Sequence, residues 1–584
     1  MFLLDQINNN YKKIPTKNIF TWLDEHGKEK KHLTYTDIIQ QSNAVADHLV
    51  DKIGLKPGDK IMIVYPFGLE FLIGFIGALK AGLVVVSVYP PNPSNLKKDL
   101  PKFNKFVEDC GAKHALTTRQ FSWLVKGTKL VGHKWANNLQ WIHTDKFSKV
   151  KERKHDDYVP SSHEELAFIQ YTSGSTGDPK GVMISHGALA HNLKCIQELG
   201  EFNHDSKAVC WVPQYHDYGL VVNYLNALTC GFHLICMSPL TFIKNPLLWA
   251  ECIENFQCTH ISSPNFGYSL LFKRLKENPE REFDFTCLQR VNTAAEPINV
   301  NVLKEMNELF PQDSVDQTYG CAEMVVHVCS RGKGVHNDIP SCGRISLSEQ
   351  FEKEIIIVND DLEKVKEEET VGNIMIRGPD MALGYYGKNS DIFKTKVDGK
   401  EYYNTGDLGF IYQDQLYVTG RKKDVIILQG KNYYPSDFEF EIEEQYKGIV
   451  RPGCIAVCQY DDESVAILAE VYPGKTLDNP PRLPVEISHF KTMEKGTIPK
   501  TTSGKIKRHA CKDILKDSNV KAEWTSKYYE SIAIIGAGPS GLVAAYQLVK
   551  NGYKNITIYE KEEHVGGRSV GFNMENELYV YNSG

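Results

Sequence analysis

The chain has 584 residues, 42% hydrophobic, 24% charged and 11% aromatic, a composition that excludes a single small module, a disordered polymer and a collagen-like chain. Lys plus Arg number 67 against 73 Asp plus Glu, a formal net charge of −6, which excludes a generally basic nucleic-acid binder. The fourteen cysteines form no C-x-x-C pair and read as reduced core thiols rather than zinc ligands or disulfides.

Met1 to Asn10 lacks the basic start and apolar core of a secretory signal, so a cytoplasmic protein is expected. The apolar stretch from Ile61 to Tyr89 is cut by Pro66, Glu70 and Lys80 into pieces shorter than the roughly 20 residues of a membrane-spanning helix. Between Leu33 and Thr118, helix-like segments (Asp37 to Asp51, Gly68 to Ala81) alternate with strand-like runs (Ile61 to Tyr65, Val84 to Tyr89), which predicts a layered α/β fold. The pattern resumes at Leu166–Tyr171, Ala208–Pro213, Thr259–Ser263 and Gln289–Thr293. The expected organisation is a large α/β domain over 1–420, a small α+β domain over 421–515, a polar linker over 516–530 and a partial Rossmann-type β-α-β unit over 531–584.

Tyr171-Thr-Ser-Gly-Ser-Thr-Gly-Asp-Pro-Lys-Gly181 follows an apolar run and packs glycines, hydroxyls and one lysine together. Such a loop can wrap a polyphosphate: glycines let backbone N–H groups approach, hydroxyls donate, and Lys180 adds charge. It is not a Walker A loop, because Pro179 precedes the lysine and Gly181 replaces the Ser/Thr. The bland alternative is a solvated Ser/Gly turn. Tyr319-Gly-Cys-Ala-Glu323, Asn404-Thr-Gly-Asp-Leu-Gly409 with Gly420-Arg421 behind it, and the basic Pro499-Lys-Thr-Thr-Ser-Gly-Lys-Ile-Lys-Arg508 are each weak alone, since an Asp or Glu in a turn or a charged run is usually structural.

Their order on one chain resembles the adenylate-forming enzymes, and within them the fatty acyl-AMP ligases. Trp211-Val-Pro-Gln-Tyr-His-Asp-Tyr-Gly-Leu220, Ser263-Pro-Asn-Phe-Gly-Tyr268, Thr293-Ala-Ala-Glu-Pro297 and Leu416 to Val425, continuing through Gly430-Lys-Asn-Tyr-Tyr-Pro435, carry the likeness over residues 30 to 510. The resemblance implies a large adenylate-forming domain holding ATP and an acyl pocket, and a small mobile domain carrying a catalytic lysine. It implies activation of a long-chain fatty acid to acyl-AMP with release of pyrophosphate, then transfer to an acyl carrier protein or a polyketide or nonribosomal synthase module. An acyl-CoA ligase of the same fold is the alternative. From the charge and the interrupted apolar stretch, no nucleic-acid partner and no membrane span are expected, and a monomer is expected.

By the same resemblance, Thr172, Ser173, Gly174, Ser175, Thr176, Gly177 and Lys180 hold the phosphates of ATP, and Glu323 with Thr176 binds Mg²⁺. Tyr319, beside Gly320, stacks on adenine in a pocket lined by Ala295 and Glu296. Asp407 accepts the ribose hydroxyls and Arg421 approaches from the other side. Lys505 bridges the attacking carboxylate and the α-phosphate, Asp424 is the hinge, and His216 with Asp217 shapes the carboxylate end of the acyl site, plain packing being the alternative. Two features depart from the pattern: the segment from Glu323 to Cys342 lacks the insertion usual in acyl-AMP ligases, and the segment from Glu470 to Thr497 lacks a helical stretch usual in the small domain.

At the C-terminus, Ile532-Ala-Ile-Ile-Gly-Ala-Gly-Pro-Ser-Gly-Leu542 sets G-x-G-x-x-G (Gly536, Gly538, Gly541) directly after an apolar strand, and Glu560 ends a second strand. This is the dinucleotide-binding context. With Gly566-Gly-Arg568 it resembles FAD-dependent oxidoreductases and implies a truncated FAD/NAD(P)-binding fragment, with FAD held only by a longer form. A flavin oxidoreductase using the ligase-like region as a binding module is the reading of another class.

Overall fold

The computed structural model describes residues 1–584 except 137, 173–179, 430, 478–479, 502–504, 517–523, 526–531, 551–555, 561–579 and 583–584. The described residues divide into two compact units, Met1–Lys423 and Asp424–Gly584.

In the first unit, short β-branched runs become buried parallel strands because helices cover both faces of the sheet. One sheet has six strands in the order Gln140–His143, His114–Thr117, Lys60–Ile63, Val84–Ser87, Leu166–Thr172 and Lys180–Ser185. All neighbours are parallel except the last pair. Helix Glu70–Lys80 is buried from Phe71 onward, as expected of a helix apolar all round. Its last residue, Lys80, is held by Asn43 Oδ1 at 2.8 Å and Asp157 Oδ2 at 3.1 Å.

An eight-stranded sheet follows the order Cys329–Gly332, Val315–Tyr319, Arg290–Ala294, His260–Pro264, Lys207–Cys210, His233–Cys236, Asn18–Leu23 and Glu29–Thr34. Its interior neighbours are parallel and both edge pairs antiparallel. A third, antiparallel sheet is centred on Lys400–Tyr412, flanked by Gly372–Arg377 and Gln415–Arg421. The last of these pairs Arg421 with Asp407, so residue 421, the expected start of the small domain, is held by the first unit's sheet.

Side-chain caps set the helix starts. Thr34 accepts from Asp37 N while Asp37 returns to Thr34 N, closing a capping box on helix Tyr35–His48. This helix then widens into a π-helical turn, Leu49–Ile53, ended by Gly54 at φ 77°, where the periodicity predicts one uniform helix.

In the second unit, strands Val450–Gln459, Ser464–Val471 and Glu486–Met493 form a sheet packed on helices Pro435–Gln445 and Arg508–Lys516. Trp524–Thr525, inside the expected 516–530 linker, adds a fourth strand by pairing with Phe490 and His489, because the edge of Glu486–Met493 offers open backbone groups. The parallel pair Ser464–Val471 and Glu486–Met493 is joined by residues 472–485 without a helix among the described residues. Strands Ile532–Ile535, Ile556–Glu560 and Val580–Asn582 pair in parallel, with helix Pro539–Lys550 between the first two. Among the described residues no helix is long and apolar enough to cross a membrane.

Candidate active site

Strand Leu166–Thr172 pairs antiparallel with Lys180–Ser185, Thr172 opposite Lys180. The hydroxyl-rich loop thus leaves and re-enters the sheet at one point. Ser173, Gly174, Ser175, Thr176 and Gly177 lie outside the described residues; the two ends, Thr172 and Lys180, are placed. Ser185 caps the following helix, His186–Leu199, by accepting from Ala188 N, so the return strand is anchored beyond the loop.

The segment Met381–Tyr386 ties this return strand to the Glu323 turn. Leu383 N donates to Met183 O and Met183 N to Gly384 O, each at 2.9 Å, Tyr386 N donates to Gly181 O at 2.8 Å, and Ala382 N donates to Glu323 O at 2.8 Å. The buried Tyr385 then joins two expected site residues through one side chain. Its hydroxyl donates to Glu323 Oε1 at 2.7 Å, and Lys180 Nζ stands 4.7 Å over its ring centroid, within cation–π range.

The Glu323 turn is built on unusual backbone. Val325 sits at φ 64° and ψ −64°, and Val326 N donates to Met324 O at 2.8 Å, the geometry of the rare, strained γ-turn. A Cβ on Gly320 would lie 1.7 Å from Val326 O, so only glycine lets Tyr319 and Glu323 occupy the two arms of this turn. Tyr319 reaches Asp407: its hydroxyl donates to Oδ2 at 2.5 Å while Arg421 Nε lies 2.8 Å from Oδ1. The carboxylate beside Arg421 pushes the guanidinium's pKa further above its usual range. Burial, followed by the Asp407 charge, raises the Tyr319 phenol well above its ordinary value.

Ala295 takes φ 73° at the end of strand Arg290–Ala294. Glu296 Oε1 accepts from Phe266 N at 2.6 Å, a free donor in the first turn of helix Asn265–Glu277. His216 Nδ1 lies 2.7 Å from Asp217 Oδ1, at the start of a helical segment whose Leu220–Leu225 part is a π-turn. The motif around it bridges the two large sheets. Gln170 Nε2 donates to Tyr215 O at 2.8 Å on one side, and Tyr218 OH donates to Asn292 Oδ1 at 2.6 Å on the other. Trp211 stacks on Phe242 at 4.0 Å and meets the edge of Phe266 at 5.5 Å, giving this region an aromatic wall.

Lys505 belongs to the second unit. It is exposed, its N–H donates to Thr501 Oγ1 at 3.0 Å and its carbonyl accepts from Thr501 N at 2.7 Å; Ser503 and Gly504 lie outside the described residues. Asp424 opens this unit, 3.8 Å from Arg508 Nη1. In the C-terminal unit, Gly536 takes φ 99° and a Cβ on Gly541 would lie 2.0 Å from Gly536 O, the close helix–strand approach a dinucleotide turn requires. Glu560 Oε2 accepts from Ala537 N at 2.6 Å, which brings the acidic strand end back to the loop carrying Gly538. Gly566 to Arg568 lie outside the described residues.

The sequence reading did not single out Tyr385, or the buried set around Asp380. Asn192 Nδ2 donates to Asp380 Oδ2 at 2.6 Å and Lys353 Nζ lies 2.7 Å from the same atom, with His191 and Cys195 close by. His191, Cys195 and Asp380 are near enough to share an ion, but Lys353 already neutralises the carboxylate and burial pushes the Cys195 thiol up to about 12, so these groups suit a structural ion pair. Gly384-Tyr-Tyr-Gly387, an aromatic pair between glycines, was the available signal for Tyr385.

Residues 8–386 match the AMP-binding enzyme family. The chain belongs to that family. This AMP-binding enzyme is an adenylate-forming ligase that uses ATP, and its residues 534–584 match the NAD(P)-binding Rossmann-like domain. It is 29% identical over 547 residues to the medium-chain-fatty-acid–[acyl-carrier-protein] ligase JamA of Moorena producens, covering 85% of this chain and 92% of that one. With the long-chain-fatty-acid–AMP ligase FadD32 of Mycolicibacterium smegmatis it shares 27% over 582 residues, covering 84% and 90%. The fatty acyl-adenylate ligase from L. pneumophila, solved with acyl adenylate and pyrophosphate, superposes with a TM-score of 0.67 at 26% identity, covering 88% of this chain and 96% of that one.

Proposed function

We propose that this enzyme activates a long-chain fatty acid as its acyl-adenylate and passes the acyl group to a carrier-protein thiol. The observation that carries the reading is the tie made by Tyr385 between Lys180, at the end of the hydroxyl-rich loop, and Glu323. It sets a cation and a carboxylate beside one loop, as positioning a polyphosphate and its counter-cation requires. The acyl-carrier and acyl-AMP ligase names of the relatives support the substrate class.

In the proposed reaction a carboxylate oxygen of the fatty acid forms a bond to the α-phosphorus of ATP, and the bond from that phosphorus to the bridging oxygen of pyrophosphate breaks. The loop from Thr172 to Lys180 holds the phosphates. Glu323, an oxygen donor of the kind hard divalent cations take, would hold Mg²⁺ with Thr176, and the bound ion would neutralise phosphate oxygens. Tyr319 offers its ring to adenine beside Ala295 and Glu296. Asp407, released from Tyr319 and Arg421, would accept the ribose hydroxyls. Lys505 supplies positive charge where the attacking and α-phosphate oxygens meet, and Asp424 serves as the pivot of the small domain. Residues 531–584 are proposed as a dinucleotide-binding unit, with FAD as the candidate cofactor. A cytoplasmic monomer is the expected state.

The acceptor is tested by incubating the enzyme with ATP, a labelled fatty acid and either CoA or a phosphopantetheinylated carrier protein. Acyl-carrier product supports the proposal. Acyl-CoA alone would favour the CoA-ligase reading, to which the uninterrupted hairpin between Glu323 and Cys342, strands Val335–His336 and Ile339–Arg344, also lends itself.

A further inference from the structure

Helix Arg119–Leu130 has two apolar sides. Phe121 and Val125 are buried against the six-stranded sheet, whereas Trp123 and Leu130, two turns apart and therefore on one face, are 64% and 89% exposed, and the next residue, Val131, is 76% exposed. The charge within this stretch of chain has one sign, although Asp145, just beyond it, accepts from Arg119 N at 2.8 Å at the helix start. From Gly111 to Thr144 there is no Asp or Glu, while Lys113, Arg119, Lys126, Lys129 and Lys134 fall in that stretch of a chain whose net charge is −6. Lys113, Lys126, Lys129 and Lys134 are all exposed, and none joins an ion pair among the described residues.

Topology puts the Leu130 end of this face away from the reaction, Trp123 lying in the second turn of the helix, nearer the carboxyl ends of the strands. The hydroxyl-rich loop leaves the carboxyl end of Leu166–Thr172, and the strands of that sheet from Gln140–His143 to Leu166–Thr172 are parallel. The helix starts at the carboxyl end of His114–Thr117 and runs back toward the amino end of Gln140–His143. Leu130, Val131 and Lys113 therefore gather at the opposite edge of the sheet.

We propose that this face docks on an anionic lipid surface. An exposed Trp with aliphatic neighbours enters the boundary between headgroups and acyl chains, and flexible lysines around it meet anionic headgroups. The cations are lysines with a single arginine, the reverse of the preference of protein–protein interfaces, and nucleic acid would not use Leu130 and Val131. Because fatty acids partition into bilayers, docking brings the enzyme to its supply; that consequence rests on the function proposed above, whereas the docking does not.

Vesicle flotation of the full chain, without substrates, tests the docking. The chain is expected to float with phosphatidylcholine vesicles containing phosphatidylserine, less with phosphatidylcholine alone, and less as salt rises. Trp123→Ser with Leu130→Ser, and separately Lys126→Glu with Lys129→Glu, should each weaken binding by about tenfold or more. Thermal midpoints should stay unchanged, since these side chains are exposed. The proposal is overturned by a wild-type chain that does not float, by equal flotation with neutral vesicles, or by variants that bind as wild type. It is also overturned by a dimer in light scattering that Trp123→Ser with Leu130→Ser dissolves, which would assign the face to a second copy of the chain.

Discussion

The Tyr385 hydroxyl donates to Glu323 Oε1 across 2.7 Å, joining residues 62 positions apart in the chain. The same ring lies under the Lys180 ammonium, so one side chain orients both the carboxylate and the cation of the proposed phosphate site. Tyr385→Phe keeps the ring under Lys180 but frees the carboxylate. It should lower kcat/KM for ATP by about tenfold, the worth of one hydrogen bond to a charged group, and raise the Mg²⁺ concentration needed for half-maximal rate. Tyr385→Ala, which removes both contacts, should lose more. Steady-state kinetics across a Mg²⁺ series decides, and a Phe variant identical to wild type would reduce Tyr385 to packing.

Gly320 allows the turn that carries Tyr319 and Glu323. An added methyl would meet the Val326 carbonyl oxygen at 1.7 Å, a backbone atom that cannot swing away like a side chain. Gly320→Ala should therefore cost about 1–3 kcal/mol of stability and displace both residues. A thermal melt together with ATP titration checks this; an unshifted midpoint with normal ATP binding would show that the turn yields freely.

Lys505→Ala should lower the rate of adenylate formation by orders of magnitude while leaving ATP affinity nearly unchanged, because its charge is called on where oxygen charge is redistributed in the transition state. Single-turnover rates compared with equilibrium ATP binding separate the two effects. A near wild-type rate would remove Lys505 from the mechanism.

Much of this site was legible because its residues sit in contiguous motifs. The hydroxyl-rich loop, the Asp407 turn and the Gly536 to Glu560 unit each carry backbone demands in a few adjacent letters, and strands such as Leu166–Thr172 were marked by apolar runs. Tyr385 was marked only as one of an aromatic pair between glycines, since its meaning comes from Lys180 and Glu323, which only the pairing of Met381–Tyr386 with the return strand brings to it. The strand Trp524–Thr525 was hidden for a similar reason: two residues in a polar stretch have no periodicity, and a free sheet edge recruits them. The ties of Asp407 to Tyr319 and Arg421 were half legible. Their chemistry was assigned to a nucleotide, and in the fold they also bond to one another.

Acid should withdraw from the first unit the stability that its neutral buried histidines contribute. Burial lowers the His260 pKa to about 4, with the Gly200 carbonyl, 2.9 Å from Nε2, opposing. Burial likewise lowers His233 to about 4. A histidine near 6.5 when unfolded and near 4 when folded binds more protons unfolded across that window. Stability is thus full above pH 6.5 and is lost as pH falls toward 4, by up to about 3 kcal/mol for each such group. His260→Gln, which does not titrate, should flatten the decline of the denaturant midpoint between pH 6.5 and 4 relative to wild type; parallel curves would contradict the assignment.

Adenylation itself is read most directly by ATP–pyrophosphate exchange on the purified chain, with and without fatty acid. The account predicts that labelled pyrophosphate enters ATP only when a fatty acid is present, depends on Mg²⁺, and falls to background in Glu323→Gln and Lys505→Ala. Exchange that ignores fatty acid, or none with any chain length in a folded protein that binds ATP, would contradict it and leave the ligase-like region as a binding module.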